Sequence, residues 1–266
     1  MPDFELPDGR KLAYREEGSG TPLVLVHGSP GEGSSWRRVV PHLKERFRTI
    51  CLDLPGYGSS DPLVSEEPTG RMDAMGAAVA RLVESLEGPV RLAGHSYGGN
   101  ITLQAALQLQ ARSIDRIVLF EPVYFHALQL VDDHAALEPA AVHFEDYARR
   151  VTAGEPDAVR LMIDYWFGQG AFARMPAPVR AYLSIFATLN ASDARSSFLC
   201  TSTVADLARL HRPVTIVDGG TSPDMVRSIG RALVKLLPDA RMEGLADANH
   251  GMLDTHPEAV ARLIAA

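Results

Sequence analysis

An apolar strand, Val90-Arg91-Leu92-Ala93, runs into Gly94-His95-Ser96-Tyr97-Gly98-Gly99 and then into a helical pattern from Asn100 to Ala111. Few folds accommodate this order. The chain must pass from strand to helix within one turn, so small residues are needed where the two backbones crowd. Gly94 and Gly98 provide that room on either side of Ser96. The turn reads as a nucleophile elbow, which lifts a serine clear of the chain. It also sets the serine at a helix N-terminus, where unpaired N–H groups and the dipole favour a developing negative charge.

The surrounding pattern agrees with that local reading. Strand-like runs at Lys11–Arg15, Leu23–Val26, Thr49–Leu54, Ile114–Phe120, Val214–Val217 and Arg241–Leu245 alternate with helical patterns at Trp36–Arg46, Met72–Leu86 and Met225–Leu237, and a last helix follows Pro257. Such alternation predicts an α/β protein with a mostly parallel central sheet and helices on both faces. The stretch 122–205 breaks the rhythm: it is mostly helical in pattern and holds more than half of the chain's Phe, Tyr and Trp. It reads as an inserted helical cap, or lid, on a core formed by 1–121 and 206–266. Tyr124, Tyr165, Trp166 and Phe167 are its candidate pocket residues, although aromatic side chains also serve as a cap's own small core.

Composition excludes several roles. With 266 residues, 46% of them hydrophobic, the chain has apolar content for a full core. A net charge of −7, with the basic residues scattered, gives no electrostatic footprint for nucleic acid. The start Met1-Pro2-Asp3-Phe4-Glu5 lacks the layout of a signal peptide and no apolar run is long enough to span a bilayer, so a soluble, cytoplasmic protein without membrane attachment is expected. Cys51 and Cys200 form no C-x-x-C pair and read as small buried hydrophobes. His126, His134 and His143, with Asp132 and Asp133 among them, stand eight and nine residues apart, a spacing that fits no helical metal site. No Walker lysine and no dinucleotide glycine pattern follows any strand, so neither a metal nor another cofactor is implied.

Around Ser96 a constellation takes shape. His27-Gly28-Ser29-Pro30-Gly31 directly follows a buried strand, and the backbone N–H groups of Ser29 and Tyr97 are the expected oxyanion hole. Asp53-Leu54-Pro55-Gly56-Tyr57-Gly58-Ser59-Ser60 follows the next strand and reads as structural, while His250 stands just past the last strand. This ordered set, spread over the whole chain, resembles the α/β-hydrolase superfamily, with the cap falling where that family inserts its lid. The resemblance implies the order nucleophile, acid, histidine, with Ser96 attacking and His250 as general base. His256 abuts Pro257 and reads as a helix boundary; His95, adjacent to the nucleophile, is expected to point away from it.

The acid departs from the family pattern. Where relatives carry Gly-x-x-Asp after the penultimate strand, this chain reads Gly219-Gly220-Thr221-Ser222. Glu121, ending the strand Ile114–Phe120, is the expected substitute, because a carboxylate at a buried strand end needs a partner. Asp224 is the alternative, with a competing explanation as an N-terminal helix cap. Asp218 would face the wrong way.

The resemblance implies a cofactor-independent hydrolase that cleaves a carboxylic ester of small to medium acyl or alkyl group through an acyl-Ser96 intermediate, on a small, largely apolar molecule. A carbon–carbon bond hydrolase, a lactonase, a thioesterase, an iminopeptidase or a perhydrolase of the same fold is the alternative. A ligand receptor with vestigial turnover is another, supported only by the serine at position 222. A homodimer contact through the cap is compatible with its apolar content.

Overall fold

The structure is a computed structural model and describes residues 2–64, 67–109 and 114–266. Eight strands form one sheet: β1 (Asp3–Glu5), β2 (Lys11–Glu17), β3 (Thr21–Val26), β4 (Phe47–Leu52), β5 (Val90–His95), β6 (Ile114–Phe120), β7 (Val214–Gly219) and β8 (Ala240–Leu245). Their order across the sheet is β1-β2-β4-β3-β5-β6-β7-β8. From β4 to β8 every pairing is parallel, whereas β1 and β2 add on in antiparallel fashion. The short antiparallel strand β1 carries no clear period in the sequence.

Strand alternation divides the core between the two faces. Val24, Val26, Leu92, Leu119 and Ile216 point to one side, with helices α1 (Arg71–Glu84), α2 (Tyr97–Gln108) and α10 (Asp224–Leu236). Leu23, Leu25, Ala93, Val118, Phe120 and Val217 point to the other, where Trp36 and the final helix α12 (Pro257–Ala265) cover them. A sheet buried on both faces reads as continuous apolar runs, which is how β3 to β7 appear in the sequence. Ala111, the expected end of the helix after the elbow, lies outside the described residues.

The helix expected at Trp36–Arg46 is not formed. In its place stand 3₁₀ turns at Gly33–Trp36 and Val40–His42, closed by bonds such as Leu43 N–H to Val40 O (2.9 Å). Pro41 lacks an N–H and its ring crowds the preceding turn, so a regular i to i−4 ladder cannot run through it.

Between β6 and β7 the chain makes a helical excursion: α3 (His126–Leu130), α4 (His134–Thr152), α5 (Arg160–Phe167), α6 (Ala171–Arg174), α7 (Ala177–Ile185), α8 (Ala187–Ser196) and α9 (Val204–Ala208). A capping box between Thr203 and Asp206 starts α9, which runs across the boundary expected at 205. A short helix, α11 (Met252–Thr255), follows β8. Among the described residues no helix is long and apolar enough to cross a membrane.

Candidate active site

Parallel strands deliver their C-terminal ends to one edge of the sheet, where crevices collect chemistry. β5 and β6 lie in register with His95 opposite Phe120, so the residue after each strand, Ser96 and Glu121, emerges side by side. The sheet ladder holds both emerging residues: Ser96 N–H donates to Phe120 O (2.9 Å) and Glu121 N–H to Val217 O (2.8 Å). Each has a positive φ, 56° for Ser96 and 45° for Glu121. Non-glycine residues rarely adopt this region, and strain of this kind persists where the surroundings over-determine it.

The glycines of the elbow are required by contact. A Cβ on Gly94 would stand 2.3 Å from Gly98 O, and one on Gly98 would stand 2.2 Å from His27 O. α2 begins at Tyr97, so its first N–H groups lie directly beyond the serine.

His250 lies on the loop after β8, and that loop is pinned to the turn after β7. Thr221 donates to Ala248 O through both its N–H (3.0 Å) and its hydroxyl (2.8 Å). The His250 ring is almost fully buried, stacked on Trp166 at 4.7 Å between centroids and approached edge-on by Phe167 at 5.8 Å. Its Nε2 is 3.0 Å from Ser96 Oγ, and its Nδ1 is 2.5 Å from Glu121 Oε2. A carboxylate accepts only, so Nδ1 carries the proton and Nε2 presents its lone pair to the serine hydroxyl.

Glu121 is buried, which pushes its carboxyl upward, yet its donors outweigh burial and hold it below the usual range. These donors are His250, the Ser222 hydroxyl (2.5 Å to Oε1) and the Gly219 N–H (2.7 Å to Oε1). Ser222, at the position where the family pattern carries its acid, is therefore a donor to the carboxylate that reaches His250. Asp224 is placed elsewhere: its side chain is 94% exposed and pairs with Arg227. Asp218 pairs with the same arginine.

Ser29 and Tyr97 border a recess beside Ser96, and their N–H groups have no acceptor among the described residues. The Ser29 side chain is clamped. Its hydroxyl donates to Asp193 Oδ2 (2.6 Å), contacts Tyr57 Oη (2.7 Å) and accepts from Asn190 Nδ2 (2.9 Å). Asp193, on α8, also accepts from Tyr57 (2.6 Å) and from Arg71 Nε (2.6 Å), and the Arg71–Asp193 ion pair is wholly buried. His27 ties the same loop to the end of β4: Nδ1 donates to Gly28 O (2.7 Å) and Nε2 accepts from Leu54 N–H (2.9 Å). Acceptance at Nε2 requires a neutral ring, in keeping with burial, which lowers its pKa.

A cavity of about 240 Å³ opens from Ser96 and His250 between the sheet edge and the excursion. Trp166 and Phe167 line it. Two other expected pocket residues are not brought to it. Tyr165 packs against His143, Phe144 and Trp166 within the excursion, and the buried Tyr124 hydroxyl accepts from Gln104 of α2. His95 differs from expectation in the opposite sense. It borders the cavity, lies 4.9 Å from the His250 ring and bonds His250 O through Nε2 (2.9 Å). His126 and His143 bond backbone carbonyls, and among the described residues no cluster of three or more His, Cys, Asp or Glu could hold a metal ion.

Similarity to known proteins follows the same lines. Residues 23–263 match the model of the alpha/beta hydrolase family. The chain is 28% identical over 172 residues to an (E)-2-((N-methylformamido)methylene)succinate hydrolase of Acinetobacter baylyi, covering 65% of this chain but only 60% of that relative's length. It is 27% identical over 279 aligned residues to a non-heme chloroperoxidase of Streptomyces lividans, covering 94% of this chain and 93% of the relative. Among solved structures, an esterase from Exiguobacterium antarcticum superposes with a TM-score of 0.73 over 99% of each chain at 19% identity, a likeness of fold alone. With strand order, elbow and family match in agreement, this chain belongs to the alpha/beta hydrolase family.

Proposed function

We propose that the protein is a serine hydrolase that cleaves carboxylic esters through an acyl-Ser96 intermediate. One observation carries this reading: Glu121, His250 and Ser96 stand in one hydrogen-bonded line, and Ser29 and Tyr97, whose N–H groups have no acceptor among the described residues, border the same recess as the serine. His250 Nε2 takes the Ser96 proton as Oγ attacks the ester carbonyl, and the resulting oxyanion is held by the N–H groups of Ser29 and Tyr97. Glu121 keeps the imidazole in the required tautomer and stabilises the imidazolium. His250 then gives the proton to the departing alkoxide. Water, deprotonated by the same ring, attacks the acyl-enzyme and releases the acid and free Ser96.

The apolar wall around the 240 Å³ cavity supports a small, largely apolar substrate, and no step needs a cofactor. The near full-length match to a protein called a chloroperoxidase favours one second reading. Hydrogen peroxide in place of water would attack the same acyl-enzyme and release a peracid.

The test is hydrolysis of p-nitrophenyl acetate by the wild type and by Ser96→Ala, with and without peroxide. Turnover is expected to fall by three orders of magnitude or more in the variant. Equal rates in both proteins would remove the proposal. Peracid release that outpaces acetate release at millimolar peroxide would favour the second reading.

A further inference from the structure

Two cavities meet at Ser96, and they differ greatly in size. The larger, about 240 Å³, has His250 in its wall together with Ile163, Phe167, Leu183 and Leu253. The smaller, about 20 Å³, is walled by Tyr97, Val123, Phe125, Phe144 and Ala194, with Asn190 and Asp193 on its polar side. Ser29, Ser96, Met162 and Trp166 border both, but His250 borders only the larger.

The tetrahedral carbon formed on Ser96 Oγ carries three other groups, and their directions are fixed by the chemistry. Its oxyanion must point at the Ser29 and Tyr97 N–H groups. The leaving oxygen must lie within hydrogen-bond reach of His250 Nε2, which has to protonate it, and His250 lines the large cavity but not the small one. The recess borders both oxyanion donors but not His250, so the leaving group is kept out of it and the acyl substituent takes the space beside the oxyanion.

We infer, on the ester-hydrolase reading above, that the enzyme acts on acetate esters of bulky apolar alcohols: the recess admits an acyl chain no longer than acetyl, while the large cavity takes the alcohol. A volume of about 20 Å³ holds little more than one water-sized group. The walls resist widening because they are packed aromatic rings. Phe125 stacks on Phe198 at 4.3 Å and stands 5.4 Å from Phe144, which in turn lies 5.8 Å from Trp166. The large cavity, in contrast, has an apolar wall and a polar rim where Arg37 pairs with Asp254 (2.9 Å), a shape suited to an alkyl or aryl alcohol that reaches solvent at its far end.

Two ester series test the assignment. With p-nitrophenol fixed and the acyl group lengthened from acetyl through butyryl to hexanoyl, kcat/KM is expected to fall at least tenfold by butyryl and further by hexanoyl. With acetate fixed and the alcohol lengthened from ethyl to hexyl and benzyl, it is expected to rise. Val123→Ala opens the recess and should raise the butyryl-to-acetyl ratio at least fivefold. Val179→Trp, on α7 at a partly exposed edge of the large cavity, should depress hexyl acetate relative to ethyl acetate and leave the acyl preference alone. Ser96-dependent turnover with an optimum at butyryl or longer overturns the subsite assignment and leaves the hydrolase reading standing. Absence of Ser96-dependent turnover in both series overturns the two together.

Discussion

At the scale of single residues, the two carboxylates considered as the acid separate by a large expected difference in rate. Glu121→Gln keeps the shape but cannot stabilise an imidazolium, so kcat on p-nitrophenyl acetate is expected to drop at least a hundredfold. Asp224→Asn, at a solvent-exposed side chain bonded to Arg227, is expected to stay within twofold of wild type. Comparable losses in both variants would refute the role given to Glu121. Ser222→Ala removes one of the donors to Glu121 and should cost several-fold, well short of Glu121→Gln. Ser96, His250 and Glu121 are legible in the sequence because each ends a recognisable strand or turn. The use of Ser222 is not, since a hydroxyl announces no partner and the one it finds is 101 residues away. Tyr165 shows the converse limit. Helical spacing puts it beside Trp166, but three residues' worth of side chains face three directions, and only the packed structure shows which of them reaches the cavity.

At the scale of elements, the loop after β3, the loop after β4, α1 and α8 are joined through Asp193. Arg71 and Asp193 are both buried, so removing one charge strands the other, at a typical cost of about 3–5 kcal/mol. The Ser29 hydroxyl bonds the same carboxylate, and the Ser29 N–H is half of the proposed oxyanion hole. Asp193→Asn is therefore expected to lower the urea midpoint and to reduce kcat at least tenfold with little change in KM, since the misplaced donor acts on the transition state. Replacing Arg71 and Asp193 together by methionine and leucine should recover much of the stability but not the rate. Recovery of both would mean that the pair serves folding alone. Nothing in the sequence marks this cluster: Ser29, Tyr57, Arg71 and Asp193 share no motif and meet only because the excursion returns over the sheet edge. The strands from β3 to β7 are legible by contrast, because runs of apolar residues bounded by turn residues carry their own signal. The 3₁₀ turns near Trp36 are not, since apolar spacing there imitates a helix that Pro41 forbids.

At the scale of the whole molecule, the site imposes a pH dependence on the fold. Burial, and next the neighbouring His250, hold the His95 imidazole down to about 3. His27 is lowered as well, again by burial first. In the unfolded chain both rings bind protons as pH falls through about 6.5, whereas the folded chain keeps them neutral, so the unfolded state gains protons that the native state does not. Stability is full above pH 6.5 and declines below it, by on the order of 1 kcal/mol per pH unit for His95, and His27 acts in the same direction. Glu121 acts in the same direction at lower pH. Its folded carboxyl is held below its ordinary value of 4.5, so its contribution is present above 4.5 and lost as pH falls through the folded value. Acid unfolding should accordingly begin between pH 6.5 and 5, before ordinary carboxylates titrate, and steepen below 4.5. Urea midpoints measured at half-unit intervals from pH 7.5 to 4 would show the slope. His95→Gln offers an amide donor to His250 O in place of the ring Nε2 and carries no titrating group, so its slope between pH 6.5 and 5 should be shallower than that of the wild type. A wild-type midpoint that stays flat across that interval would show that neither ring enters the fold neutral, and an unchanged slope in the variant would show the same of His95 alone.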